Sequence, residues 1–296
     1  MFPGRPILWL YTAGDIKEQT VVTALDPNGK ILWQTPNGKA WRQGRLNGAR
    51  NTPTADGDHA YHENAHGDLV CLDAAAGKRL WGMNILEKFR GKNIRWGLAE
   101  APLIDGDRVI CCPGGLDASM AALDKRTGEV VWACPATYEN AGYASPILVE
   151  WKGLRQVVAI TAHSAIGVHA ETGELHWRFE HGNVRGTNCP SPVFAKGNLF
   201  LNSGAGTGGV MLKLHVGKDG TATVEELWRT SDLDNHHGGI VGVGGCLYGA
   251  ADKAHRSAWV YLSAGTGNLL YAEKGVGKGY PWSRPRGCST PSARRA

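Results

Sequence analysis

No stretch of about 18 consecutive apolar residues occurs anywhere in the chain, so no transmembrane helix is expected. The apolar run near the start, Ile7 to Gly14, is short and turns polar at Asp15 and Lys17. It reads as a strand rather than a signal peptide. No two cysteines stand in CxxC spacing, and their number, seven, is odd. That argues against a disulfide framework and against a CxxCH haem attachment. Cys71, Cys111, Cys112, Cys134, Cys189, Cys246 and Cys288 read as scattered, mostly buried thiols. A strong charge of one sign is also missing. The 32 basic residues exceed the 27 acidic ones by five, and Arg284, Arg286, Arg294 and Arg295 supply four of those charges from the tail. The body is nearly neutral and gives no case for nucleic-acid binding. Gly204-Ala-Gly and Thr207-Gly-Gly lack the Lys-Ser/Thr and the following helix of a phosphate loop, so they read as turns.

Glycine and tryptophan are abundant, at 41 and 11 residues. The tryptophans fall in phase. Ala24-Leu-Asp-Pro-Asn-Gly-Lys-Ile-Leu-Trp33, Cys71-Leu-Asp-Ala-Ala-Ala-Gly-Lys-Arg-Leu-Trp81, Ala122-Leu-Asp-Lys-Arg-Thr-Gly-Glu-Val-Val-Trp132 and Val168-His-Ala-Glu-Thr-Gly-Glu-Leu-His-Trp177 are copies of one unit. A looser copy ends at Trp228, and a sixth ends at Tyr271. The closing aromatics are 48, 51, 45, 51 and 43 residues apart. A period of this length, in short apolar runs broken by glycine, marks propeller blades rather than a helical solenoid. Leu-Asp closes one strand, and Lys125-Arg-Thr-Gly128 makes a turn in which glycine supplies a left-handed backbone. The next strand ends on an aromatic that can wedge between neighbouring sheets.

A second element keeps the same phase. Pro53, Pro102, Pro146 and Pro192 each open a unit and lie 49, 44 and 46 residues apart. Proline can start a strand but not sit inside a central one. The fifth opening carries His236-His-Gly-Gly-Ile instead. Together, Ser/Thr-Pro-x-x-x-x-Gly-Asp followed by Leu-Asp-x-x-Thr-Gly-x-x-x-Trp resembles the pyrroloquinoline-quinone (PQQ)-like repeat over roughly residues 5 to 279. The resemblance implies an all-β propeller of four-stranded blades, about six of them represented. It extends to quinoprotein alcohol dehydrogenases, to cofactor-free propellers such as the lipoprotein of the barrel-assembly machinery, and to bacterial PQQ-binding-like proteins. It also implies a periplasmic or secreted location. The chain begins inside a blade, and residues 280–296 are Pro/Ser/Arg-rich without strand pattern, so the expectation is a propeller fragment, 1–279, with a disordered or out-of-frame tail.

In a propeller the innermost strands line a central channel, and the loops entering them form one rim. The residues ahead of each opening should therefore cluster: Arg50 and Asn51, Trp96 and Glu100, Tyr143 and Ser145, Asn188 and Ser191, and Asn235, His236 and His237. Arg50, Asn51, Trp96, Tyr143, Asn188 and Asn235 are candidates for holding a ligand, and His236, His237 and Glu100 for acid–base work. Adjacent histidines on a strand point to opposite faces, so no metal is expected there. The pair Cys111-Cys112 reads as buried strand thiols. A PQQ dehydrogenase needs a Ca²⁺ held by carboxylate and amide oxygens. Glu100 and Asn188 could serve as ligands and Trp96 as a floor under the quinone, but no motif ties them together. The leading expectation is a binding or scaffold propeller engaging a protein or small ligand at its rim. The alternatives are a PQQ-dependent alcohol or sugar dehydrogenase, or a hydrolase or lyase built on His236 or His237 with Glu100.

Overall fold

The computed structural model describes residues 9–43, 47–135, 137–255 and 258–274, with no side-chain detail for 9–15; the expected tail, 280–296, lies outside them. These residues form one three-stranded and five four-stranded sheets, all antiparallel and each built from consecutive strands. The first sheet holds β1 (Trp9–Ile16), β2 (Gln19–Leu25) and β3 (Ile31–Lys39). The second holds β4 (Thr54–Asp56), β5 (His59–Glu63), β6 (Asp68–Asp73) and β7 (Arg79–Asn84). The third holds β8 (Leu103–Asp105), β9 (Arg108–Cys111), β10 (Met120–Asp124) and β11 (Val130–Cys134). The fourth holds β12 (Ile147–Trp151), β13 (Leu154–Ile160), β14 (Ser164–His169) and β15 (Leu175–Glu180). The fifth holds β16 (Val193–Ala195), β17 (Asn198–Ser203), β18 (Gly208–Val216) and β19 (Ala222–Thr230). The sixth holds β20 (Val241–Val243), β21 (Cys246–Ala250), β22 (Ala258–Ser263) and β23 (Leu269–Lys274). A single helical turn, α1 (Ile85–Lys88), follows β7. The chain is an all-β propeller, and each opening proline stands one residue ahead of its innermost strand.

Both faces of the middle sheets are buried, and period-two alternation decides which residue faces which neighbour. Val109 and Cys111 on β9 pack back onto Tyr61 and Leu69 of the second sheet. Ile110, between them, packs forward with Ala122 and Trp132 onto Val157 and Ile166 of the fourth. The same pattern joins the fourth sheet to the fifth and the fifth to the sixth. Among the described residues the buried apolar clusters form layers between blades rather than one central core.

The repeated aromatic makes each junction. Trp33 donates its indole N–H to the Ala74 carbonyl of the next blade at 3.1 Å. Trp81 reaches Lys125 at 3.0 Å, Trp132 reaches Ala170 at 3.1 Å and Trp228 reaches Ala264 at 3.2 Å. In each case the acceptor follows the last residue of the strand that precedes the turn. The turn glycine lies flat on the same indole: a Cβ on Gly77, Gly128, Gly173 or Gly267 would sit 2.5–2.8 Å from it. Those four glycines also have φ between 68° and 77°, so the position excludes a side chain twice over. Trp177 departs from the rule. The fifth blade carries a longer β18–β19 hairpin, and Trp177, though buried against that blade, donates instead to Gln156 Oε1 of its own sheet at 2.8 Å.

The pairing register shifts just before every closing aromatic, leaving Leu32, Leu80, Val131, His176, Leu227 and Leu270 without an opposite residue. Such a bulge bends and twists the strand, which swings the aromatic toward the next sheet. It also explains the exposure of consecutive aliphatics such as Val130 and Val131 on an edge strand, where simple alternation would bury one of them.

Candidate functional site

The openings are laced from blade to blade by their own polar side chains. Asn51 Nδ2 donates to the Glu100 carbonyl at 2.8 Å, and Thr54 Oγ1 donates to the Pro102 carbonyl at 2.7 Å. Ser145 Oγ accepts from Ala101 N at 2.8 Å, and Ser191 Oγ donates to the Ser145 carbonyl at 2.9 Å. Ser145 and Ser191, the Ser/Thr positions of two openings, and Thr54, just after Pro53, thus tie the inner ends together.

Beside this girdle the loops line a cavity of about 700 Å³ that opens to solvent. Arg50, Trp96, Tyr143, His236 and His237 line it, with Ser145 and Ser191 at its base. Asn51, Glu100, Asn188 and Asn235 do not line it. Glu100 is buried and its Oε1 accepts the Cys112 backbone N–H at 2.5 Å. Asn188 is buried as a loop clamp: Nδ2 donates to the Thr161 and Ala162 carbonyls, both at 2.8 Å, and Oδ1 accepts from Ser203 Oγ at 2.6 Å. Asn235 Oδ1 accepts from Gly238 N at 2.7 Å, turning the chain after the histidines.

His236 and His237 sit on a loop ahead of β20, not on a strand, so strand alternation does not apply to them. Their rings stack at 4.0 Å with planes 17° apart, and both face the cavity. This corrects the expectation that they would point to opposite faces. His236 Nδ1 stands 3.4 Å from Asp252 Oδ2. Buried Asp234 anchors both segments: its carboxylate accepts from the backbone N–H groups of Gly206 (3.0 Å), Asp252 (2.7 Å) and Lys253 (2.9 Å). A Cβ on Gly204 would meet His236 Cα at 2.8 Å, so glycine there lets the loop seat.

Two charged lining residues were not anticipated from the sequence, Arg95 and Arg185. Each lies seven residues ahead of its opening proline, Pro102 and Pro192, an in-phase signal present in the repeat alignment. Arg95 lies over the Trp96 ring, with Cζ 4.9 Å from the centroid. Asn183 fixes the other loop, its Oδ1 accepting from Arg185 N at 3.0 Å and Thr187 N at 3.1 Å. Tyr143 Oη accepts from Trp96 N at 3.2 Å and lies within electrostatic reach of Arg50, Arg95 and Cys189. Burial pushes the Tyr143 phenol above its ordinary value, and burial lowers Arg50.

The profile of the family described as outer membrane protein assembly factor BamB matches residues 17–269. The chain belongs to this PQQ-like repeat propeller family. Its fold is similar to that of BamB from Moraxella catarrhalis, with a TM-score of 0.59, 16% identity, and coverage of 92% of this chain and 80% of that one. A 1-butanol dehydrogenase (quinone) of Thauera butanivorans is 27% identical over 47% of this chain and 22% of the enzyme. A quinoprotein ethanol dehydrogenase of Pseudomonas aeruginosa is 37% identical over 28% of this chain and 13% of the enzyme. The matched segments thus span less than a quarter of either dehydrogenase.

The quinoprotein likeness raises PQQ and Ca²⁺ as ligands. Ca²⁺ takes six to eight oxygen donors, carboxylates prominent among them. Among the described residues no Asp or Glu lines the cavity, and none of the His, Cys, Asp and Glu residues form a group able to hold a metal ion. Glu100 and Asn188 already spend oxygens on the fold. These donors do not fit a calcium-bridged quinone. Among the described residues no helix is long and apolar enough to cross a membrane.

Proposed function

We propose that this protein is a binding propeller that takes a ligand at the mouth of its central channel. One observation carries the reading: loops ahead of five successive openings bring arginine, histidine, tryptophan and tyrosine together on one cavity, and buried Asn183, Asn188, Asp234 and Asn235 clamp the last two of those loops. Cavities of this size suit small ligands, and fixed polar groups in them set orientation. The family's description as an outer membrane assembly factor favours a place in the cell envelope and leaves the same rim available to a protein partner.

The dehydrogenase alternative draws on the local likeness to quinone-linked alcohol dehydrogenases. Among the described residues it finds no metal-ligand group and no carboxylate lining the cavity. Calorimetric titration of PQQ with and without Ca²⁺, followed by dye-linked oxidation of ethanol and 1-butanol, separates the two. The binding reading expects no Ca²⁺-dependent heat and no dye reduction. Ca²⁺-dependent binding with turnover would replace it by the enzyme reading.

A further inference from the structure

The charge of the cavity wall is one-sided. Three arginines, Arg50, Arg95 and Arg185, and two histidines, His236 and His237, face it, and no carboxylate does among the described residues. The remaining polar lining includes the hydroxyls of Ser145, Thr187 and Ser191. Hydroxyls donate as readily as they accept, and guanidinium groups only donate. The whole chain carries 27 acidic residues against 32 basic, so this asymmetry belongs to the site and not to the bulk composition.

The arginines come from three different blade junctions, and each has its own support. Arg50 lies over Trp41, with Cζ 5.8 Å from the ring, and Arg95 lies over Trp96. Arg185 is carried on the loop that Asn183 and Asn188 clamp to Ser203. At Arg95, the indole beneath the guanidinium supports its face and keeps donor N–H groups at its edge. Such a fork pairs with planar or tetrahedral oxyanions through two parallel hydrogen bonds. Fixing several of them on a rigid scaffold lowers the ordering cost on binding. A ligand with one negative charge would satisfy only part of this wall, and a cation would meet no counter-charge in it.

We infer that the channel mouth is a metal-independent site for a small ligand bearing two or more carboxylate or phosphate groups, gripped by Arg95 and Arg185 in a wall that Arg50 also lines. The inference rests on the binding reading above and adds to it the chemical class of the ligand. His236, held through Nδ1 by Asp252, contributes a hydrogen bond from the sixth blade's side. Carboxylates and phosphates share this oxyanion chemistry, so the two sources are separated by probe.

The test is calorimetry of the full chain, in buffer stripped of divalent cations by a chelating resin, with citrate, pyrophosphate and acetate. Citrate or pyrophosphate should bind at micromolar to sub-millimolar Kd, with acetate at least tenfold weaker. Arg95→Ala and Arg185→Ala should each cost tenfold or more, at unchanged Tm. Arg185→Lys should recover only part of the loss, because the charge returns without the fork. Raising NaCl from 50 to 500 mM should weaken binding severalfold, since the site is open to solvent and screened by salt. Which probe binds tighter assigns the ligand to carboxylates or to phosphates. Silence with both polyanions and with PQQ would overturn the anion assignment alone. Binding of PQQ only when Ca²⁺ is added, accompanied by dye-linked alcohol oxidation and with both polyanions silent, would overturn the assignment and the binding reading together. Polyanion binding unaffected by either arginine variant would also overturn it.

Discussion

Gly29 and Gly173 hold the same place in their repeats but not the same surroundings. Both have positive φ, 81° and 77°. A Cβ on Gly29 would meet nothing within 4 Å, whereas one on Gly173 would lie 2.7 Å from the buried Trp132 ring. Gly29→Ala should therefore cost about 1–2 kcal/mol, the left-handed backbone penalty alone. Gly173→Ala should cost a further 1–3 kcal/mol or so, because a close-packed indole must shift. Urea denaturation of the two variants measures the difference; equal losses would mean that the indole stacking does not matter. Trp132→Ala removes the other half of the contact and is expected to cost about 3–5 kcal/mol. At this scale the sequence is most readable where a residue type is demanded in every blade. The Trp–Gly pair recurs, so its meaning shows through repetition. Arg95 and Arg185 recur only twice, and a reading confined to residues beside the prolines passes over them.

Single strands carry the main electrostatic burden. Glu63, at the end of β5, is fully buried, and its two carboxylate oxygens find no hydrogen-bond partner among the described residues. Burial and the nearby Glu100 push its carboxyl well above the ordinary range. Burial likewise pushes Glu100 up to about 7, partly opposed by the Cys112 N–H. A carboxyl raised in the folded state keeps its proton there while the unfolded chain loses it. Its contribution to stability is full below the unfolded value near 4.5 and falls as pH rises toward about 7. Buried His62, lowered to about 3, acts in the opposite sense, losing stability as pH falls below its unfolded value near 6.5. Glu100→Gln keeps an oxygen for the Cys112 N–H and removes the titration. The Tm of the variant relative to the native protein should climb steadily between pH 4.5 and 7. A constant offset across that range would show that Glu100 is ionised in the fold. The strands themselves were legible from turn glycines and opening prolines. The burial of Glu63 was not, because a Glu at the end of a strand looks the same in sequence whether it faces solvent or another blade. The histidine pair shows the same limit: alternation predicts opposed rings only if the backbone is a strand, and the two glycines after it mark a loop.

Across the whole molecule the apolar layers lie between sheets, so cooperativity depends on neighbours rather than on a shared centre. The cross-strand row Phe200, Met211 and Trp228 of the fifth sheet is sealed by the sixth, with Phe200 and Met211 at 1% and 4% exposure. The equivalent row of the sixth sheet is Tyr248, Tyr261 and Tyr271, with ring centroids 4.4 and 5.1 Å apart along it. All three are only half-buried, and Val241 and Val243 on the innermost strand are 40% and 50% exposed. The opposite row of the same sheet, Val260 and Leu262, is buried against the fifth. The sixth sheet therefore has one well-covered face, while the fourth has two. Tyrosine suits such a half-wet row, since its ring packs and its hydroxyl stays solvated. Local opening costs what the covered faces contribute. Strand β22 should thus lose its amide protection at least tenfold sooner than β14, although both are hydrogen-bonded on each side. Hydrogen–deuterium exchange read by mass spectrometry distinguishes the cases. Faster exchange in β22 means that the propeller frays from its sixth sheet inward. Equal protection in β14 and β22 means that the sheets open only together, and that the sixth sheet is held by more than the layer it shares with the fifth.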